Sequence, residues 1–341
     1  MLAVFDGHND ALTRNDYALF AQGRPGGHLD LPKMRAGGIR GGIFAIFTPS
    51  PGESDQPLPR DDGVIEFEYA RSIRHDRAAA HATACAGRLH ELEREGHLRI
   101  ARRIADVDRA LGQDGPPVAV LHLEGAEAID RGLEALELWY AAGMRSLGPV
   151  WSRANSFAHG VPFIYPSSPD LGPGLRAAGK RLVRRCAELG ILVDLSHLNE
   201  AGFWDVARIE PGPLVASHSG AHALCAASRN LTDAQLDAIG SSGGLVGIVF
   251  GCSFVRSDFA DDDDTPLELI ADHVRYVAER IGVEHVGLGS DFDGTIVPRA
   301  IADAGRMPEL LEVIRKAGFD DRELAAIAGE NWRRVLAAWW R

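Results

Sequence analysis

The sequence predicts an α/β fold: a (β/α)8 TIM barrel with insertions and a helical C-terminal tail, in one domain over residues 1–341. Two observations predict it. Eight short runs rich in Val, Ile and Leu alternate with helical patterns, as strands buried on both faces of a parallel sheet do. Side chains able to bind a metal follow five of those runs. In a barrel the C-terminal ends of all strands open on one face, where such groups would meet.

The strand-like runs lie at 2–5, 42–47, 118–123, 145–150, 191–195, 214–216, 245–250 and 285–288. Between the second and third, residues 61–95 place apolar side chains at helical spacing. A helix over 175–189 follows Pro173 and stops at Gly190, a residue that readily takes the left-handed cap conformation. Thr265-Pro266 opens another helix that runs to about Ile281 and closes at Gly282. Residues 308–316, 321–328 and 331–340 form the helical tail. An open doubly wound sheet is the rival architecture. No G-x-G-x-x-G follows the first strand, which counts against a dinucleotide-binding version of it.

Composition narrows the function. Hydrophobic residues make up 45% and charged residues 25%, the balance of a globular chain. No apolar run nears the roughly 20 residues of a membrane span, and the N-terminus lacks the basic start of a signal peptide. A cytoplasmic location with no membrane partner is therefore expected. The net charge of −12, with no basic patch to neutralise phosphates, argues against nucleic acid. Cys85, Cys186, Cys225 and Cys252 are scattered without a C-x-x-C pair, so reduced buried thiols are expected rather than a cysteine metal site. The acidic run DFADDDD at 258–264 reads as a solvated loop, and the Pro-rich stretch 50–59 as a mobile one.

The chemistry follows the strands. His8 and Asp10 come after the first, Glu124 after the third, His197 after the fifth, His218 after the sixth and Asp291 after the eighth. Extended backbone sends side chains two positions apart to the same side, so His8 and Asp10 can reach one ion. Three imidazoles with carboxylates suit zinc or a similar divalent cation better than calcium or magnesium. Six candidates exceed the three protein ligands usual for one catalytic zinc, and two metals sharing a carboxylate account for the excess. A single histidine near a strand end is more often a hydrogen-bonded structural residue. His28, His75, His81, His90, His97, His122, His222, His273 and His285 are read that way.

In order along the chain, DGHND at 6–10, LEGAEAI at 123–129, DLSH at 194–197, ASHS at 216–219, SRN at 228–230, GSDFDG at 289–294 and GENW at 329–332 resemble the membrane (renal) dipeptidase family of zinc peptidases, within the amidohydrolase superfamily. The resemblance implies two Zn2+ ions per chain, with His8 and Asp10 on one, His197 and His218 on the other, and Glu124 bridging both. It also implies that Arg229 grips the carboxylate of a small dipeptide substrate through a two-pronged guanidinium fork. Asp291 would be the acid/base passing a proton from water to the leaving amine. A D-residue at the C-terminal position and a homodimer are both compatible with the family.

One position departs from the pattern. Close relatives of the renal enzyme carry a histidine after the fourth strand, in a Leu-Thr-His segment; here the segment reads RSLGPVWSRAN, with Trp151 at that place. Indole donates one N–H but carries no positive charge. Trp151 is expected to line the substrate pocket, with His159 or Arg153 as substitutes for the missing imidazole. Two alternatives stand beside the dipeptidase: a hydrolase of N-acyl amino acids or other small amides, and an inactive barrel used as a binding scaffold.

Overall fold

The computed structural model describes residues 1–52, 56–58, 60, 62–209 and 211–340. Eight parallel strands form the centre: β1 (Val4–Asn9), β2 (Ile39–Phe47), β3 (Val118–Glu124), β4 (Met144–Gly148), β5 (Leu192–Val193), β6 (Val215–Ser219), β7 (Leu245–Ile248) and β8 (Val286–Leu288). Their lateral order is β5-β4-β3-β2-β1-β8-β7-β6. A parallel bridge between Asp194 and Val215 joins the two ends and nearly closes the barrel. Each expected strand has its counterpart here, displaced by a few residues at most.

The ladders explain why those runs become strands. From Gly41↔Val118 to Phe47↔Glu124, β2 and β3 pair without a break. Every residue of β1, β3, β6, β7 and β8 is buried, which is why their leading segments read as apolar runs rather than alternating ones. Between Asp6 and Asn9 the β1–β2 register slips, an irregularity of the kind that re-aims side chains at the end of a strand. His8 lies on that segment.

Helices pack outside and stop where the sequence signals stops. Asp30 caps Leu31–Gly37 by accepting from Lys33 N, and Gly190 ends Ala177–Leu189 in a left-handed conformation. In the tail, Met307–Lys316, Asp321–Ala325 and Asn331–Trp339 are helical, with a wide π turn over Ala326–Glu330. Trp332 is fully buried against Phe5. It lies so close to three strand glycines that a Cβ on Gly7 would sit 2.2 Å from the indole and one on Gly287 2.6 Å. Losing a core indole packed like this costs about 3–5 kcal/mol. Trp339 and Trp340 are buried in the same core.

The helix expected over 61–95 is corrected: helix covers only His75–Arg94. Ile65–Glu66 instead pair antiparallel with Ile164–Tyr165. In I-E-F-E-Y the apolar residues Ile65, Phe67 and Tyr69 alternate with Glu66 and Glu68, a period of two rather than 3.6. Ile65 and Phe67 pack beside Phe259. Asp61 lies outside the described residues, as do Glu53–Asp55 and Pro59 of the loop at 50–59. The four cysteines are buried and unbonded. In the acidic run, Asp258 pairs with Arg256 and Asp263 with Arg299. Among the described residues, no helix is long and apolar enough to cross a membrane.

Candidate active site

Six side chains from both halves of the sequence meet at the C-terminal end of the barrel. Glu124 closes β3 and its Oε1 is the hub: it lies 2.9 Å from His197 Nε2, 3.5 Å from His218 Nε2 and 3.6 Å from His8 Nε2. Asp10 Oδ2 lies 3.7 Å from His8 Nε2, as the shared direction of the two side chains requires. Asp291 joins from the loop after β8 and stands beside Asp10, close enough for the two carboxyl groups to act on each other. Gly294 makes room for that approach, since a Cβ there would meet Asp10 Oδ2 at 2.3 Å and Asp291 Oδ1 at 2.4 Å.

Hydroxyl groups behind the cluster set the ring orientations. Ser217 Oγ donates to Asp194 Oδ2 at 2.6 Å. With its one hydrogen committed, it can only accept from Nδ1–H of His218, 2.7 Å away. His218 Nε2 is then left as a lone pair aimed at Glu124. Ser152 Oγ lies 2.9 Å from His197 Nδ1. The facing Nε2 atoms of His197 and His218 are 3.1 Å apart, with Arg229 Nη2 at 3.3 Å from His197 Nε2. Outer partners of this kind fix the tautomer and raise the basicity of metal-binding imidazoles.

The electrostatics ask for a cation. His8 Nε2 and Asp10 Oδ1 are buried without a hydrogen-bond partner. Burial alone would push the His8 imidazole down, but Glu124, Asp10 and Asp291 together raise it to about 10. Burial raises the Glu124 carboxyl well above its ordinary range. Burial holds His197 and His218 well below theirs, with the Arg229 charge adding to the effect. The result is a compact set of imidazole nitrogens and carboxylate oxygens, matching the donors divalent transition metals take. Within it, His8, Asp10 and Glu124 make one compact group, and Glu124, His197 and His218 another.

Around the cluster stand the expected substrate residues. Arg229 is buried; its Nη1 donates to Ser219 Oγ at 2.7 Å and its Nη2 to His218 O at 2.8 Å, while Nε has no partner. Trp151 is half-buried with its ring centre 5.7 Å from His197, 4.8 Å from Phe47 and 5.6 Å from Phe163. Arg153 lies over the Phe47 and Trp151 rings, each 5.3 Å away, and is held by Glu127 Oε1 at 2.7 Å. His159 is set apart, with Nε2 3.0 Å from Arg176 Nη2; among the described residues it makes no hydrogen bond or ion pair with the six-residue cluster.

Several supporting residues escaped the sequence reading. Asp194 and Ser217 sit inside the DLSH and ASHS segments, yet only the fold shows them bonded to each other. His122, read as structural, is fully buried between Ser146 Oγ at 2.8 Å and Asp194 Oδ2 at 3.9 Å, near His8. Burial drives its imidazole down to about 3, so it stays neutral.

A profile of the membrane dipeptidase family, peptidase family M19, matches residues 1–339. The chain belongs to that family. It is 43% identical to a metallopeptidase from Rhodobacter sphaeroides whose crystal structure holds a phosphinate mimic of the dipeptide L-Ala-D-Ala; the two superpose with a TM-score of 0.94 over 99% of each chain. The dipeptidase AC, an M19 metallopeptidase, is 44% identical and superposes with a TM-score of 0.92 over 100% of this chain and 99% of its own. Dipeptidase ataJ of Aspergillus terreus is 28% identical over 98% of this chain and 83% of its own length. This M19 chain is thus a metallopeptidase built on a (β/α)8 barrel, and its six-residue cluster occupies the face where barrel enzymes keep their active sites.

Proposed function

We propose that this protein hydrolyses the amide bond of small dipeptides, including those with a D-residue at the C-terminal position, at a centre of two zinc ions. The observation that carries the reading is the Glu124 hub, with buried, unpartnered His8 Nε2 and Asp10 Oδ1 on one side and the paired Nε2 atoms of His197 and His218 on the other. His8 and Asp10 would hold one ion, His197 and His218 the second, and Glu124 both. When bound, such ions polarise an amide carbonyl and bring the pKa of water toward neutrality.

The protein's own groups would do the rest. The buried Arg229 guanidinium, with Nε–H uncommitted, would bind the substrate's carboxylate and fix which amide faces the centre. Asp291 would accept the proton of the attacking water and deliver it to the amine as the C–N bond breaks. In the metal-free protein burial lifts its carboxyl to about 7. Trp151, Phe47 and Phe163 would wall the side-chain pocket.

The test of substrate class is a panel of dipeptides, L,D pairs among them, set against N-acyl amino acids with zinc-loaded protein. Release of two free amino acids from the dipeptides is expected. Inertness there with cleavage of acylated amino acids would move the assignment to the other amides. On a cleaved dipeptide, Trp151→Ala should shift kcat/KM by about tenfold or more; wild-type kinetics would remove Trp151 from the pocket.

Metal uptake should also be visible in protons. With its imidazole raised to about 10, His8 carries a proton at pH 7 in the metal-free protein, and a metal must displace it. Zinc binding near neutral pH should therefore release about one proton per chain or more, and affinity should climb with pH. Calorimetry in buffers of different ionisation enthalpy measures this. Heats independent of buffer would contradict it.

A further inference from the structure

The loop that carries Asp291 is held in an uncommon backbone shape. Asp291 has φ 57° and Asp293 φ 70°, left-handed values that aspartate tolerates better than most non-glycine residues but that remain uncommon. Such conformations persist where the surroundings over-determine them. On the inner side the loop is tied to β1: Asp291 N donates to His8 O at 3.0 Å, and Phe292 O accepts from Asp10 N at 2.8 Å.

On the outer side a different set of groups takes hold. Asp293 Oδ2 accepts from Arg24 Nη2 at 2.5 Å, and Oδ1 accepts from His28 N at 2.6 Å. Asp293 N donates to His28 Nδ1 at 3.0 Å. The Arg24 and Asp293 side chains have no exposed surface. Arg24 reaches further, since Nη1 lies 3.4 Å from both Ala11 O and Asp16 Oδ1, and Nη2 also donates to Leu29 O. One guanidinium therefore straps together the turn that follows Asp10 and the loop that carries Asp291. A buried ion pair of this kind is often no more stabilising than apolar residues of the same volume.

We propose that Arg24 and Asp293 are positioning residues for catalysis: their buried ion pair fixes the Asp291 carboxyl against Asp10 and the metal groups. The claim rests on the reading of Asp291 as the acid/base. A misplacement of about 1 Å at a reacting group can cost 10²-fold in rate, whereas substrate binding through Arg229 is untouched.

The test uses zinc-loaded protein with four variants: Asp293→Asn, Arg24→Lys, Asp291→Asn and the Asp291→Asn/Asp293→Asn double. Asp293→Asn should lower kcat about 10–100-fold, with KM within about twofold and metal content unchanged. Arg24→Lys, which keeps the charge but loses the planar fork, should fall between it and the parent. In the Asp291→Asn background Asp293→Asn should cost little more, since groups acting as a unit are not additive. Unchanged kcat per metal-loaded site in Asp293→Asn, with only a lower unfolding temperature, would overturn the proposal. So would full additivity in the double variant. Should Asp293→Asn fail to fold, Arg24→Lys decides: parental kcat overturns the proposal and reduced kcat at constant KM supports it. An active Asp291→Asn would instead overturn the acid/base reading itself, which keeps the two failures distinct.

Discussion

Replacing Asp291 with asparagine should lower kcat about 10²–10⁴-fold while both metals stay bound. Asparagine keeps the shape and a hydrogen-bonding oxygen but cannot take up and return a proton in this range. In the metal-free protein burial lifts the Asp291 carboxyl to about 7, with the His8 charge opposing and the Asp10 carboxylate adding to the shift. Its place beside Asp10 puts a carboxylate where a proton can be taken up and returned. Metal analysis beside steady-state kinetics checks the prediction. Parental turnover in Asp291→Asn would strip the residue of its proton-transfer role.

Glu124→Gln should weaken both metals together, by at least about 10²-fold each. Its Oε1 is within 3.6 Å of the Nε2 atoms of His8, His197 and His218, so it belongs to both compact groups at once. Glutamine removes the negative charge that would balance the two proposed cations. It also puts an amide NH2 where imidazole lone pairs converge. Zinc titration of the variant, counted per chain after dialysis, should show parallel loss of both ions. Loss of one ion with the other held at parental affinity would contradict a bridging role.

Much of this architecture is legible in the sequence because it depends on local pattern. Doubly buried strands are mostly apolar where they carry no site residue, so the apolar stretches of β1, β3 and β7 announce themselves. Polar residues just after such runs, His8, Glu124 and Asp291, stand out against them. The stretch 61–74 misleads because I-E-F-E-Y carries apolar residues that also fit a helical spacing when a longer window is taken. The supports of the site are harder to see. Ser217 and Asp194 are ordinary strand-end residues until the barrel joins β5 to β6. Arg24 lies 269 residues from Asp293, in a loop with no periodicity to mark it. His159 is close in sequence to Trp151, but its imidazole faces Arg176, because the short connection from 154 to 159 folds back on itself through an antiparallel bridge.

The account turns on two ions working as one centre, and a titration tests that most directly. Metal-free protein is given increasing zinc while free amino acids released from L-Ala-D-Ala are counted. Turnover should climb until two equivalents per chain are present and then level off. A plateau at one equivalent, or fully loaded protein that leaves every dipeptide intact, would contradict it.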